Sequence, residues 1–418
     1  MSFESLWETL LPIGRDARSG GYRRFAWTDV DLTLREWFED EAGRRGMDLV
    51  TDRAGNQWAW WGDPDSAANA GRPGLVIGSH LDSVPDGGAF DGPLGVVSAF
   101  AAVDALRGKG VVPSRPIGVV NFVDEEGARF GVACAGSRLL TGQLSADRAR
   151  SLVDEAGSTM AEAMARAGHD AEHVGPDSET LRRVGIFIEL HIEQGRGLVD
   201  LGHPVGVAHS IVPHGRWRLD FSGEANHAGT TRLEDRNDAS LGLARAILAA
   251  RTHAMTAGCV ATVGKVHIEP NGVNAIPAHV AAWLDVRGDR EPAVRGVPAA
   301  VAADSGASAV VEESYTAPTV FPADVRNQLC ALLDDAPILP TGAGHDAGIL
   351  AQAGIPTGML FVRNPTGVSH SPDEHAGVYD CLRGVHALAA VAAGLTASQR
   401  DAEVRESRAG AAGQFVRR

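Results

Sequence analysis

Five residues in this sequence have the side chains and the surroundings expected of ligands for divalent metal ions. His80, Asp91, Glu126 and His191 each lie at or just after the end of a short apolar run, and His375 lies in a Ser/Pro/Asp/Glu-rich loop near the C-terminus. Imidazole nitrogens and carboxylate oxygens are donors that zinc and similar ions accept. The five make a complete ligand set for two ions, and paired divalent ions activate water. The sequence therefore indicates a hydrolase.

Two acidic residues beside these candidates suit supporting roles in such chemistry. Asp82 follows His80 by two residues and can accept a hydrogen bond from the second ring nitrogen, which would fix the tautomer and direction of the imidazole. The adjacent side chains of Glu125 and Glu126 point in different directions, so one can bind metal while the other serves as general base. Nearby divalent cations would keep both ionised. We therefore predict that Asp82 and Glu125 are catalytic.

The candidate ligands follow apolar segments that are typical of buried parallel strands. Residues 74–80, 117–123 and 184–190 form such segments, and residues 96–106 carry apolar side chains at helical spacing. Strands that alternate with helices predict a mostly parallel α/β sheet, in which ligands bind beyond the carboxyl ends of the strands. All three strand ends carry candidate ligands, so we expect one site at this edge.

A second, smaller domain is indicated from about residue 210. There the sequence changes to short alternating segments and an Ala/Leu-rich helix, as in a small antiparallel sheet backed by helices. A proline-punctuated stretch at residues 315–322 then precedes a return to the α/β pattern. We predict a catalytic domain of residues 1–209 and 323–418, with an α+β domain of residues 210–322 inserted into it.

Composition narrows the class of protein. Of 418 residues, 44% are hydrophobic and 22% are charged, and no apolar stretch is long enough to predict a membrane span. The first residues lack the pattern of a secretory signal, and the four cysteines form no CxxC pair, which together favour a cytoplasmic location. The net charge of −15 argues against affinity for nucleic acid or anionic lipid.

Seven motifs occur in consistent order between about residues 70 and 380. They are GSHLDSV from Gly78, FDG from Phe90, DEEG from Asp124, LHIEQG from Leu190, NHAGTT from Asn226, NAIP from Asn274 and SHSPDEH from Ser369. One such motif alone is a weak signal, but seven in register are specific. Together they resemble the hallmarks of the N-carbamoyl-L-amino acid hydrolase, β-ureidopropionase and allantoate amidohydrolase family.

The resemblance implies a zinc-exopeptidase-like catalytic domain with a ferredoxin-like lid domain that forms a homodimer. It implies two divalent ions per subunit, with zinc as the first candidate and manganese, cobalt or nickel as alternatives. Asp91 matches the bridging ligand, and the ligands on either side of it match His80, His191, Glu126 and His375. Glu125 matches the general base, which activates the water and later protonates the leaving nitrogen.

The resemblance also implies the residues that contact the substrate. His227 and Asn274 match groups that polarise and hold the scissile carbonyl, and the resemblance favours their reaching the site from the partner subunit. Arg287 matches the clamp for the substrate carboxylate, because a planar guanidinium suits a bidentate carboxylate. Gln194 and the backbone of Gly358 match further contacts.

The sequence departs from the family pattern near the expected substrate pocket. Arg232 and Leu233 stand where the family has Pro-Met, His214 lies in a segment that is commonly Gly-Gln, and Arg196 ends a Gln-Gly-Arg run that replaces a Gly-Pro step. These changes leave the metal ligands intact, and the roles of the three charged residues stay open. They bear on the choice of substrate.

The sequence therefore predicts metal-dependent hydrolysis of a linear C–N amide or ureido bond in a small carboxylate substrate, releasing ammonia and carbon dioxide. Allantoate and N-carbamoyl-L-amino acids are the leading candidates. An N-formyl or N-formimidoyl amino acid suits the same geometry, and an aminoacylase or exopeptidase of the same superfamily is a further alternative. A metal-binding scaffold without turnover is a different class, which the presence of Glu125 disfavours.

Overall fold

The structure is a computed structural model and describes residues 2–334 and 336–397. The chain divides into two compact units. Of the described residues, one unit contains those up to His209, those within 321–339 and those from Gly344 onward, and the other contains Ser210–Val320 and Pro340–Ala343. The C-terminal part of the predicted catalytic domain, residues 398–418, lies outside the described residues.

The strands of the described residues are, in chain order, β1 (Asp48–Thr51), β2 (Gln57–Trp61), β3 (Gly74–His80), β4 (Ile117–Phe122), β5 (Val184–Ile192), β6 (Val205–Ile211), β7 (His214–Ser222), β8 (Cys259–Glu269), β9 (His279–Gly288), β10 (Ala309–Thr316), β11 (Thr319–Val320), β12 (Ile338–Thr341) and β13 (Thr357–Val362).

The helices are α1 (Phe3–Leu10), α2 (Asp29–Arg44), α3 (Pro64–Asn69), α4 (Pro93–Gly108), α5 (Ala135–Thr141), α6 (Ala146–Ser151), α7 (Met160–Arg166), α8 (Ser178–Leu181), α9 (Gly197–Leu201), α10 (Ser240–Ala257), α11 (Glu291–Ser305), α12 (Ala323–Leu332), α13 (Asp346–Gln352) and α14 (Val378–Leu395). Two short 3₁₀ turns lie at Ala171–His173 and Leu233–Asp235.

The first unit is built on a sheet whose central strands are parallel. The strand order is β1-β2-β4-β3-β5-β13-β6, with β4, β3, β5 and β13 parallel and β1, β2 and β6 antiparallel outside them. Every residue of β3, β4 and β13 is buried, because both faces of the central strands are covered, and this explains their continuous apolar runs. The predicted α/β fold with a mostly parallel sheet is confirmed.

Helix α4 follows the loop that carries Asp91. It packs against β3 and β5 and also contacts α14. The helix begins at Pro93, whose fixed φ suits the first turn, and Gly92 before it has φ 83°. A Cβ at Gly92 would collide with the imidazole of His80, so glycine lets the loop lie directly against this ring.

Helix α14 has the length and composition of a membrane-spanning helix, with a mean hydropathy of 1.2 over 18 residues. Half of these residues are buried inside the protein, where the helix packs on α4 and β13, and a core helix of a water-soluble protein passes the same test. No other helix of the described residues has this property. The cytoplasmic location stays a prediction.

The second unit has the chain order β7-α10-β8-β9-α11-β10. Its four strands form an antiparallel sheet in the order β10-β7-β9-β8, and α10 and α11 pack on this sheet. Burial alternates along β7, so one face of the strand meets the helices through Trp217, Leu219 and Phe221. The predicted small antiparallel sheet backed by helices is therefore present.

Candidate active site

His80 ends β3 and is completely buried. Its Nδ1 lies 3.2 Å from the backbone oxygen of Asp82 and 3.3 Å from Asp82 Oδ1, so Nδ1 carries the proton in the neutral ring. Nε2 then presents a lone pair, and it has no hydrogen-bond partner. Although burial opposes it, the charges of Glu125 and Asp82 raise the pKa of His80 well above its usual value. A cation in front of Nε2 would offset this excess of negative charge.

Asp91 lies in the loop between β3 and α4, where its two carboxylate oxygens face different histidines. Oδ1 is 3.1 Å from His191 Nε2 and 3.8 Å from His80 Nε2, whereas Oδ2 is 3.4 Å from His370 Nε2. Burial alone would raise the pKa of Asp91, but the hydrogen bond and charge of His191, with the charge of His80, hold it below the usual value. A carboxylate with this arrangement can bridge two ions.

His191 is the penultimate residue of β5 and is also buried. Its Nδ1 lies 2.9 Å from the backbone oxygen of Ile192, which leaves Nε2 free to face Asp91. The ring of His345, just before α13, lies edge-on to His191 with a centroid distance of 4.5 Å. His345 makes no helix-capping hydrogen bond through its side chain, and donor atoms of Glu189, His191 and His345 also lie within 4.8 Å of one another.

The turn after β4 separates the side chains of the two adjacent glutamates. Asp82 accepts the backbone N–H groups of Glu125 and Glu126 at 3.1 and 3.0 Å, so the residue that orients His80 also holds this turn. Glu125 Oε2 then lies 3.7 Å from His80 Nε2, while Glu126 Oε2 lies 3.8 Å from His370 Nε2. Burial is the main reason why the pKa values of both glutamates are raised.

The structure brings His370, and not the predicted His375, close to the other candidate ligands. His370 Nε2 approaches Asp91 Oδ2 at 3.4 Å and Glu126 Oε2 at 3.8 Å, whereas the His375 ring lies edge-on to Phe90 at 5.9 Å. Both histidines are exposed and belong to the same motif, and the sequence does not show which one faces Asp91. His370 has a left-handed backbone conformation, with φ 55°, in the turn that directs it toward Asp91. In the structure, His370 and not His375 therefore lies with the other candidate ligands.

The different positions of His370 and His375 predict different results for their alanine variants. H370A should lose at least 10-fold in affinity for one bound divalent ion, because one of three close donors is removed, and its hydrolytic activity should fall with it. H375A should keep metal affinity and activity within a few-fold of the wild type. Calorimetric metal titration of both variants checks the pair, and a larger loss in H375A than in H370A would contradict the assignment.

Two donor groups that share one carboxylate therefore lie side by side. His80, Asp91 and His191 form one group, and Asp91, Glu126 and His370 form the other, each with donor atoms within 4.8 Å of one another. Glu126 Oε1 is buried without a hydrogen-bond partner, as is His80 Nε2. Buried polar atoms without a partner lower the stability of a protein unless a bound ion or ligand interacts with them. The residues fit a pair of divalent first-row ions.

Of the two predicted substrate contacts in the first unit, one lies at the site and one does not. Gln194 Nε2 donates to Asp91 Oδ2 at 2.8 Å and lies 3.4 Å from His370 Nε2. Gly358 is inside β13, opposite Ile188, and a Cβ there would meet Leu329 at 2.6 Å. Its small size serves the packing of the strand against α12. The substrate contact through the Gly358 backbone stays a prediction.

In the second unit, His227 lies in a loop and is exposed. Its Nδ1 accepts the N–H of Gly229 at 3.0 Å, which leaves the proton of the neutral ring on Nε2. The backbone oxygen of Asn274 accepts the N–H of Ala228 at 2.9 Å, so the two predicted carbonyl-binding motifs lie next to each other. A ring that presents Nε2–H can donate to a substrate oxygen.

Arg287 lies near the end of β9 and is already paired. Its Nε and Nη2 contact Asp285 at 2.8 and 3.1 Å, and Nη1 donates to the backbone oxygen of Gly342 at 2.8 Å. His214 lies opposite Arg287 in the sheet, and burial lowers the pKa of His214. Arg232, in contrast, is exposed and pairs with Asp235 at 2.8 Å.

Besides His370, three residues that contact the loops around the candidate site were not predicted, although each of them belongs to one of the seven motifs. Glu374 and Ser369 belong to the SHSPDEH motif, and both contact the Asp91 loop. Glu193, in the LHIEQG motif, accepts the N–H groups of Gly197 and Leu198 and so holds the start of α9, just after Arg196. The sequence signal was their position beside a ligand or a proposed substrate contact.

Comparison with known proteins assigns the family. The profile of Peptidase family M20/M25/M40 matches residues 76–394, a span that contains every candidate ligand described above. The chain belongs to this family. The M20 assignment confirms the predicted relationship and places the two donor groups in a metal-dependent hydrolase family.

Individual M20 relatives agree with the assignment over nearly the whole chain. The N-carbamoyl-L-amino acid amidohydrolase of Geobacillus stearothermophilus is 35% identical over 401 residues, which cover 92% of this chain and 96% of that protein. The allantoate amidohydrolase of Escherichia coli is 30% identical over 389 residues, with 89% and 92% covered. An amidase of the hydantoinase/carbamoylase family from Burkholderia vietnamiensis has a TM-score of 0.84 at 29% identity, covering 95% of this chain and 98% of that one. The predicted hydrolysis of a C–N bond is thereby confirmed.

Proposed function

We propose that the protein hydrolyses the ureido or carbamoyl C–N bond of a small carboxylate substrate, with an N-carbamoyl-L-amino acid or allantoate as the first candidates. One observation carries the proposal. The Glu125 carboxylate lies 3.7 Å from His80 Nε2, at the edge of two donor groups that share Asp91. A base beside paired ion sites is the arrangement that hydrolysis of an unactivated C–N bond needs. The names of the relatives support the choice of substrate class.

The chemistry divides between the ions and the protein. Two bound divalent ions would polarise the scissile carbonyl and make water more acidic. Asp91 would hold both ions, with His80 and His191 on one side and Glu126 and His370 on the other. Glu125 then accepts a proton from the attacking water and delivers it to the leaving nitrogen as the C–N bond breaks. Its burial, which disfavours the charged form, suits a group that must both accept and release a proton.

We further propose that the second unit binds the substrate and acts as a lid. Nε2–H of His227 would stabilise the developing oxyanion, with Asn274 holding the same carbonyl. Arg287 would bind the substrate carboxylate in place of part of its present pairing with Asp285. The β-α-β-β-α-β order and the strand order of this unit support the predicted ferredoxin-like lid.

Ammonia release from a substrate panel tests the proposed reaction. The panel contains allantoate, carbamoyl-β-alanine, several N-carbamoyl-L-amino acids, N-formylglutamate, an N-acetyl amino acid and a dipeptide, with hydrolysis of the last three followed by product assays. We expect turnover of a ureido or carbamoyl compound, complete loss after chelation, and recovery with Zn²⁺, Mn²⁺, Co²⁺ or Ni²⁺. Turnover of only the acyl amino acid or the dipeptide would contradict the proposal, as would activity in the chelated enzyme.

The second unit also supports the proposed homodimer. Strand β8 has one partner strand among the described residues, β9, so its other edge is unpaired along an eleven-residue strand. On the adjacent helix α10, Leu241, Leu248 and Met255 recur every seven residues and are 57%, 70% and 72% exposed. A long free edge next to an apolar helix face is costly in a monomer, and a second copy can cover both.

We expect Leu248→Asp to shift the protein from dimer to monomer, because it places a charge in the centre of the apolar helix face. Light scattering coupled to size-exclusion chromatography measures the change. Val112→Asp, at an exposed apolar side chain of the first unit, serves as the matched control and should leave the dimer intact. A wild-type protein that runs as a monomer at micromolar concentration would contradict the proposed dimer.

A further inference from the structure

Glu374 is a buried carboxylate that belongs to neither donor group yet contacts the loop that carries Asp91 and the loop that carries His370. Its Oε1 accepts the backbone N–H groups of Phe90 and Asp91, each at 2.9 Å. Its Oε2 accepts the hydroxyl of Ser369 at 3.1 Å, and Ser369 precedes His370. The residue is 4% exposed, so water does not compete for these bonds.

The loop around Asp91 is built to receive this carboxylate. A Cβ at Gly88 would collide with the side chain of Glu374, so glycine allows the close approach. Two successive backbone N–H groups that converge on one carboxylate oxygen form a charge-assisted pair of hydrogen bonds, which are stronger than neutral ones. These two hydrogen bonds fix the backbone at Asp91 and so determine where its side chain begins.

The two donor groups depend on these loops to different degrees. His80 and His191 are on β3 and β5, and strand pairing fixes their positions. Asp91 and His370 are on loops that follow β3 and β13, and they contribute two of the three donors in the group completed by Glu126. Glu374 is hydrogen bonded to both of these loops, through the backbone of Phe90 and Asp91 and through Ser369. Gln194 Nε2 contacts both Asp91 and His370.

We propose that Glu374 is a positioning residue that sets the distance between Asp91 and His370 and thereby the affinity for the ion held by Asp91, Glu126 and His370. The inference rests on the proposed two-ion function. It names a role for a residue that touches neither ion nor substrate. Removing Glu374 releases both loops, while the strand-borne histidines keep their places.

Metal titration of three Glu374 variants tests the role. Apoprotein is titrated with Mn²⁺ by calorimetry, and electron paramagnetic resonance distinguishes a coupled ion pair from a single ion. We expect the wild type to bind two ions as a coupled pair, and E374A to bind one ion with near wild-type affinity and the other about 10- to 100-fold more weakly. E374Q should retain the pair, because its Oε1 still accepts both N–H groups. E374D, which keeps the charge but shortens the reach, should behave like E374A.

The outcomes separate the inference from the function on which it rests. A wild-type protein that binds one ion overturns the two-ion proposal and the inference together. Two ions of unchanged affinity in E374A overturn the inference alone, and so does an equal loss of both ions. If E374A does not fold, as judged by circular dichroism and thermal melting, E374D decides: selective loss of one ion supports the role, and full retention overturns it.

Discussion

Replacing Glu125 by glutamine is expected to lower kcat by about 10²- to 10⁴-fold, with little change in KM or metal content. The amide keeps the size of the side chain but cannot accept the proton of the attacking water. Glu125 also belongs to neither donor group, since its Oε2 faces His80 Nε2 from 3.7 Å and its Oε1 lies near Cys134 Sγ at 3.4 Å. The variant therefore separates proton transfer from ion binding.

Steady-state kinetics on the best substrate of the panel, with metal content measured in parallel, gives the comparison. The exposed Glu155→Gln serves as the matched control and should retain wild-type kinetics. E125Q with kcat within threefold of the wild type would remove the base from the mechanism. A loss of bound metal equal to the loss of kcat would instead make Glu125 a ligand.

Asp91→Asn is expected to have the second large effect, a loss of bound metal. Asp91 is the one residue common to both donor groups, with Oδ1 near His191 and Oδ2 near His370. Asparagine offers one carbonyl oxygen and no charge, so it cannot bridge two cations. We expect bound metal to fall from two ions to one or none, and kcat/KM to fall by more than about 10³-fold, because a two-ion site stabilises both attacking and leaving groups.

Metal analysis by plasma mass spectrometry after dialysis, together with kinetics, measures both effects. Asp86→Asn is the matched control from the same loop, because the Asp86 side chain faces the exposed Arg23 and Ser19 instead of the donor groups. D86N should keep its metal. A D91N protein that retains two ions would show that Asp91 does not bridge them.

Much of the fold was predictable because buried parallel strands have a simple sequence signature. The runs at 74–80 and 117–123 were predicted within one residue of β3 and β4, since every residue in them is covered on both faces. The ligands His80 and His191 followed directly, because a strand fixes the place of its last side chains. The antiparallel pairing of β2 with β4 was not predictable in this way, because no sequence pattern shows beside which strand of the sheet β2 lies.

The observed site differs from the expected one mainly because loop conformation decides where a polar side chain points. His370 and His375 are five residues apart in one loop, and the left-handed turn at His370, not its residue type, directs it toward Asp91. Glu374 was missed because buried acids that hold backbone resemble solvated ones in sequence.

The sequence spacing of the donors has a consequence for how the protein matures. His80, Glu126 and His191 are synthesised before the second unit, whereas His370 and Glu374 follow it, on the loop after β13. Strand β13 pairs with β5 only after a long excursion of the chain, a contact of high sequence separation that forms slowly. Under the proposed two-ion function, a nascent or truncated chain would assemble the donors for one ion but not for the pair. Uptake of the second ion would then report that the fold is complete.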